Sequence, residues 1–167
     1  MYLKQKTIME TALRVSRRPR LAVRELLLLP FAEESPLKVR CVIVNVGDAI
    51  GTIVESHFEV QAVSNRCLMP LQPFEGRNPL GLVTLAAGEN RLWEAGSTIG
   101  REQFEGIARW LQVSTTPGLD VTYLYFRGFL TYEDGNRIKR RTAFYRCYNV
   151  QSNRFDRMND PDYEYSD

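Results

Sequence analysis

Residues 121–149, VTYLYFRGFLTYEDGNRIKRRTAFYRCYN, hold two runs of alternating side chains on either side of Asp134-Gly135. Alternation with a period of two marks a strand with one buried face, and Asp-Gly between two such runs is the chemistry of a tight hairpin turn. The first run places Leu124, Phe126, Leu130 and Tyr132 on one face, and the returning run does the same for Ile138, Thr142 and Phe144. An isolated hairpin is marginal in water, so the rest of the chain has to supply strands that cover this one.

It contains several. RLAVRELLLL (20–29) reads as a strand that ends at Pro30. PLKVRCVIVNVG (36–47) begins by alternating and becomes apolar on both faces at Val42, Ile43 and Val44, which predicts a second half covered on both sides. NVGDAIG (45–51) is turn chemistry. TIVESHFEVQAV (52–63) alternates, with Val54, Ser56, Phe58, Val60 and Ala62 on one face and Ile53, Glu55, His57, Glu59 and Gln61 on the other. Residues 64–79, with three prolines, read as a loop, and short strands follow within 80–90 and in NRLWEAG (90–96). Two helices interrupt the pattern. One is a short amphipathic helix over 3–16, stopped by the RRPR of 17–20; the other is inserted at about 100–112, with Phe104, Ile107, Ala108 and Leu111 as its apolar face and Thr116-Pro117-Gly118 behind it. Many short strands without a βαβ rhythm predict a mainly β fold, an antiparallel β-sandwich. The expected organisation is a helical spacer (1–17), a sandwich domain (18–158) and an acidic-aromatic tail (159–167).

Composition narrows the function classes. The 167 residues are 44% hydrophobic and 25% charged, ordinary values for a chain that builds its own core. Lys4, Lys6 and Glu10 break every early window of leader-peptide type, and the apolar run LLLLPFA (26–32) is far shorter than a bilayer span, so neither is expected. Cys41, Cys67 and Cys147 show no CxxC spacing and are expected as buried or half-buried thiols. The net charge of +2 is unevenly distributed: the first 24 residues are strongly basic and the last 13 strongly acidic.

Three stretches carry candidate chemistry. ESHFE sets Glu55, His57 and Glu59 on one face of a strand, where two carboxylates around an imidazole could hold a metal ion or move protons. The competing reading, preferred here, is the solvent-facing row of a half-buried strand. His57 is the only histidine, so neither a Ser-His-Asp nor a two-histidine metal site exists without it. GDAIGT (47–52) lacks the Lys-Ser/Thr of a phosphate loop and lies between strands. RIKRRTAFYRCY mixes Lys139, Arg140, Arg141 and Arg146 with aromatics, as nucleic-acid-binding faces do. An edge strand that uses charge against aggregation accounts for it more simply. No catalytic, cofactor-binding or metal-binding residue is therefore assigned.

The segment from Tyr123 to Asp167 resembles the ending of an uncharacterised family of membrane-associated bacterial proteins. That family closes on a hairpin matched here at Tyr123, Tyr125, Gly128, Tyr132, Asp134, Thr142, Phe144, Arg146 and Tyr148, followed by a DPDYEYED-like tail matched at Asp160 to Tyr165. RPRLAVRELLL (18–28) and PLKVRCVIVNVGDAIGTIVES (36–56) are similar to its opening strands, with Ile50-Gly51 in place of the usual Pro-Ala and Ser166 in place of Glu. The resemblance implies an immunoglobulin-like sandwich at the end of a membrane helix and spacer, and it does not imply catalysis. Gly128 and Asp134 then have structural roles, one in close strand approach and one in a turn.

The functional expectation is a non-enzymatic module for protein–protein interaction or assembly at a bacterial membrane, without a cofactor. The partner is another protein or a second copy. The alternative is a small metal-dependent enzyme or binder using Glu55, His57 and Glu59. In the tail NDPDYEYSD, Asp162 and Glu164 alternate with Tyr163 and Tyr165, giving one acidic and one aromatic face. This predicts a docking segment for a basic surface such as Arg140, Arg141 and Arg146. If a membrane span precedes the chain, the cluster Arg14 to Arg24 lies near it and favours the cytoplasm or the cytoplasmic face of the membrane, with the periplasm as alternative.

Overall fold

The computed structural model describes residues 17–31, 35–64, 80–113, 122–158 and 165–166. The expected helix over 3–16, nearly all of the 64–79 loop, the 116–118 stop and Cys67 lie outside them. The described chain is mainly β, with two antiparallel sheets and one helix. Its order is β1 (Leu21–Leu28), β2 (Lys38–Asn45), β3 (Gly51–Ser64), β4 (Val83–Leu85), β5 (Asn90–Gly96), α1 (Arg101–Val113), β6 (Thr122–Glu133), β7 (Lys139–Asn149), β8 (Arg154–Arg157) and β9 (Tyr165–Ser166). The small sheet has the order β1-β2-β5; the large sheet has the order β4-β3-β6-β7-β8, with β9 also on β7.

One hydrophobic core lies between the sheets. Leu21, Val39, Cys41 and Ile43 of the small sheet meet Leu124, Phe126, Leu130, Tyr132 and Phe144 of the large one. The face expected from 124–132 is thus the buried one. Helix α1 contributes Phe104, whose ring lies 5.4 Å from Phe31 and 5.8 Å from Tyr148. Ile107 is buried as expected; the side chain of Leu111 lies outside the described set.

The chain crosses from β2 to β3 through the turn at 46–50, and buried Asn45 organises it. Its Oδ1 accepts from the backbone N–H of Arg20 (3.2 Å) and of Gly47 (3.1 Å). Its Nδ2 donates to the carbonyls of Ala49 (2.7 Å) and Leu85 (3.1 Å). One side chain therefore ties the segment entering β1, the interstrand turn and β4 of the opposite sheet. Gly47 is needed for the same packing, since a Cβ there would run into the backbone of Arg18, Pro19 and Arg20. Gly128 plays the parallel part in the large sheet. It stands opposite Phe58 and Phe144, and a Cβ would collide with the His57 carbonyl and the Phe144 ring.

Four local expectations are corrected. First, β3 carries a bulge between Ile53 and Glu55, seen as a register shift against β6. The extra residue puts Ile53 in the core and leaves Val54 half-buried; Ser56, Phe58, Val60 and Ala62 keep the expected face. Second, Val42 and Val44 are half-buried rather than covered, because nothing among the described residues encloses the outer face of β2. Third, the β6–β7 turn is longer than an Asp-Gly pair. Asp134 Oδ1 accepts from the N–H groups of Asn136 (2.8 Å) and Ile138 (3.0 Å), Arg137 N–H donates to the Asp134 carbonyl (2.9 Å), and the left-handed residue is Arg137 (φ 61°). Fourth, Ile138 falls in this connection and is exposed, not on the core face.

Substituting alanine at three glycines separates close packing from open space. Gly47→Ala and Gly128→Ala are each expected to lower stability by about 2–3 kcal/mol, because backbone stands where the methyl would go. Gly96→Ala meets nothing within 4 Å and should be neutral or stabilising by up to ~1 kcal/mol. Asn45→Ala leaves several buried backbone groups unmatched and should cost about 3 kcal/mol or more. Urea-denaturation midpoints at unchanged slope measure all four.

Candidate functional site

The outward face of β3 holds the ESHFE row, and β6 supplies its partners directly across. Glu55 lies opposite Thr131, His57 opposite Phe129, and Glu59 opposite Arg127. Thr131 Oγ1 donates to Glu55 Oε2 (3.1 Å). His57 stacks on Phe129 at 6.0 Å between ring centres and 16° between planes. Arg127 donates through Nε (3.1 Å) and Nη2 (2.9 Å) to Glu59 Oε2, while Glu59 Oε1 accepts from Gln61. His57 Nε2 stands 3.7 Å from the same Glu59 oxygen.

This row is half-buried rather than bathed in solvent, and Arg127 is only 4% exposed. A buried guanidinium needs a carboxylate, and half-buried Glu59 supplies it, so Arg127 and Glu59 stabilise each other's charge. A metal ion at Glu59 would have to displace that cation. Among the described residues no three His, Cys, Asp or Glu side chains form a group that could hold a metal.

The basic residues of β7 separate onto two faces. Arg140 and Arg146 share the parity of Thr142 and Phe144, which point to the small sheet; Thr142 Oγ1 donates to the Leu21 carbonyl at 2.7 Å. Arg141 points to the other side, its guanidinium carbon 3.7 Å above the centre of the Phe129 ring, a cation–π contact. Arg146 Nη1 donates to the Tyr145 carbonyl at 3.2 Å. Arg140 stands across from Tyr132 in the β6–β7 register.

Of the acidic-aromatic tail, Asp162, Tyr163 and Glu164 lie outside the described residues. The backbone of Tyr165 and Ser166 forms β9, pairing with Ala143 and Thr142 of β7. Strand β8 pairs with the same edge of β7 between Arg146 and Asn149, and Met158 N–H donates to the Tyr145 carbonyl at 3.1 Å. Two separate segments thus share one strand edge.

Cys41 and Cys147 are free thiols, the first buried and the second half-buried. Burial pushes the Cys41 thiol up to about 12. Burial, and then the Asp156 carboxylate, pushes Cys147 up to about 11. Tyr125 and Tyr145 stack at 4.9 Å, and burial raises both phenols. Neither thiol is a ready nucleophile at neutral pH, since the thiolate is the reactive form.

Arg127, Phe129, Thr131 and Tyr145 were not singled out in the sequence, although they complete this face. Their parity within 121–149 is readable. Their pairing with β3 is not, because 57 residues of sequence separate Ser64 from Thr122. The chain matches no protein-family model, no curated protein and no solved structure. Among the described residues no helix is long and apolar enough to cross a membrane.

The raised thiols predict a pH dependence with a definite sign. Above the ordinary thiol value of 9.0 the unfolded chain releases protons that native Cys41 and Cys147 retain, up to about 12 and about 11. Stability is therefore expected to fall as pH rises through that window, with no contribution from these thiols below it. Urea melts on either side of pH 9.0 check the trend, and Cys41→Ala should make it shallower. Alkylation mapped by mass spectrometry at neutral pH should leave both thiols unmodified until the protein unfolds.

Proposed function

We propose that this chain is a non-enzymatic, immunoglobulin-like β-sandwich module that serves protein–protein interaction or assembly at a bacterial membrane. The observation that carries the reading is the β9–β7 pairing. The edge of β7 accepts a short added strand from the acidic-aromatic end of the chain, in the hairpin that bears Arg140, Arg141 and Arg146. Main-chain pairing to a sheet edge, with side chains providing selectivity, is a general mode of peptide recognition. The same edge can take the tail of its own chain or that of a partner.

The polar row on β3 supports the reading from the opposite direction. Its carboxylates are occupied by Arg127, Gln61 and Thr131, and its histidine stacks on Phe129. These are contacts that hold a sheet together. The immunoglobulin-like assignment is supported by the two antiparallel sheets and by a chain that crosses between them after β2, after β4 and between β5 and β6. The membrane setting rests on the family resemblance of the last third.

Thermal melting with a panel of divalent ions tests the module against the metal-dependent alternative. No single ion is expected to raise the midpoint selectively. A rise of many degrees with one ion, absent in His57→Ala, would establish Glu55, His57 and Glu59 as a metal site instead. A photo-reactive side chain at Arg146 tests docking directly. It should give a discrete adduct with the tail, or with one partner protein, that is lost on Tyr163→Ala plus Tyr165→Ala. An adduct pattern unaffected by those substitutions would contradict the docking role.

A further inference from the structure

The edges of the two sheets are not equally protected. β4 offers only three residues, and the β3 edge that runs on past it carries the bulge at Val54 and the polar row Glu55, His57 and Glu59; β8 offers only four residues, among them Arg154, Asp156 and Arg157. β1 is broken by a register shift and by Glu25 in the left-handed conformation (φ 51°), which bends its edge away from a flat template. β5 is neither short nor irregular, and of its two charged residues, Arg91 and Glu94, the second is already paired with Arg40. It pairs with β2 over all seven residues without a register shift, and no strand among the described residues covers its other side.

The direction of its backbone groups follows from the bonds that flank the ladder. Asn45 N–H donates to the Glu89 carbonyl (2.9 Å) at one end, and Ser97 N–H donates to the Leu37 carbonyl (3.0 Å) at the other. An antiparallel ladder alternates between bonded and non-bonded pairs. Arg91, Trp93 and Ala95 therefore exchange bonds with Ile43, Cys41 and Val39. The N–H and C=O groups of Asn90, Leu92 and Glu94 point to the open edge. Leu92 is 61% exposed, in the outer-face row of Arg24 and Val42.

We infer that this edge is the interface with a second copy of the chain: two β5 strands pair antiparallel about a two-fold axis at Leu92, joining two small sheets into one of six strands. The inference deepens the proposed assembly role by naming a surface and a partner, and it rests on that reading. What favours a second copy is self-complementarity. With Leu92 facing its own symmetry mate, all three outward-pointing residues fall into bonded positions, because Asn90 then lies opposite Glu94 of the partner subunit. A carboxylate meets an amide donor, leucine meets leucine, and Arg91 comes beside the partner's Trp93, where a guanidinium can lie against an indole. Glu94 is already held by Arg40 at 2.8 Å, so it enters the pairing neutralised. A two-fold interface of this kind is closed and cannot propagate into fibres.

Sedimentation equilibrium of the full chain tests the inference. The wild type should show a monomer–dimer equilibrium. Leu92→Lys removes the apolar pair and places two cations on the axis, and should weaken dimerisation by at least roughly tenfold. Leu92→Pro deletes an N–H that points to the open edge and none that bonds β2, so the fold should survive and the dimer should not. Leu82→Lys, at a 77% exposed leucine away from β5, should leave the dimer unchanged. A wild-type chain that stays monomeric up to about 1 mM overturns the inference, as does a dimer that persists in a folded Leu92→Lys variant. Either failure leaves the tail-docking result at Arg146 standing or falling separately, so the two readings are distinguished.

Discussion

Asn45 holds the two sheets in register with each other. It is fully buried, and all four hydrogen-bonding positions of its amide are used. A buried amide left unmatched costs more than its bonds return, so this residue is specific to one arrangement of the surrounding backbone. Its partners come from the entry to β1, from the turn after β2 and from the end of β4 on the opposite sheet. The relative placement of the sheets, and with it the closure of the core over Leu21, Ile43 and Ile53, depends on that junction. Gly47 makes the approach sterically possible, and Gly51 adds to it by lying against Pro19.

From that frame the outward face of the large sheet follows. The bulge at Val54 sets which side of β3 faces β6's outer row, and Glu55, His57 and Glu59 then meet Thr131, Phe129 and Arg127 across one ladder. A row that reads as acid–base chemistry in isolation becomes a set of cross-strand pairs. The thiols agree with this picture, since burial keeps both described cysteines protonated at neutral pH. At the strand edges, β7 takes β9, and β5 pairs with no described strand besides β2.

Strands β1 to β7 were legible from their apolar patterning, and so was the buried side of β6, because period-two patterning is a local property; β8 was not, since Arg154–Arg157 carries a single apolar residue. The inserted helix was legible from its 3.6-residue spacing. The bulge at Val54 was not, since Val54 and Ile53 are equally apolar and only the partner strand shows which one is extra. The hairpin turn is not legible either, for a similar reason. Asp134-Gly135 suits a two-residue turn, but Asp134 uses its carboxylate to hold Asn136 and Ile138, which shifts the left-handed position to Arg137. The row at Glu55, His57 and Glu59 was identified, yet its meaning depended on partners more than 60 positions away. Asn45 reads locally only as turn chemistry; nothing near it in the sequence says that its amide reaches Leu85.

Native-state hydrogen exchange at the backbone amides of Arg20 and Gly47 tests the role of Asn45 most directly. Both donate to its Oδ1, and both lie outside the strands, where ordinary turn amides exchange by local opening. If the junction holds the sheets together, these two amides exchange only with global unfolding, at the same free energy as the amides of β6. Exchange that is fast and independent of denaturant, while β6 stays protected, would show that the junction opens on its own and that the core holds the sheets without it.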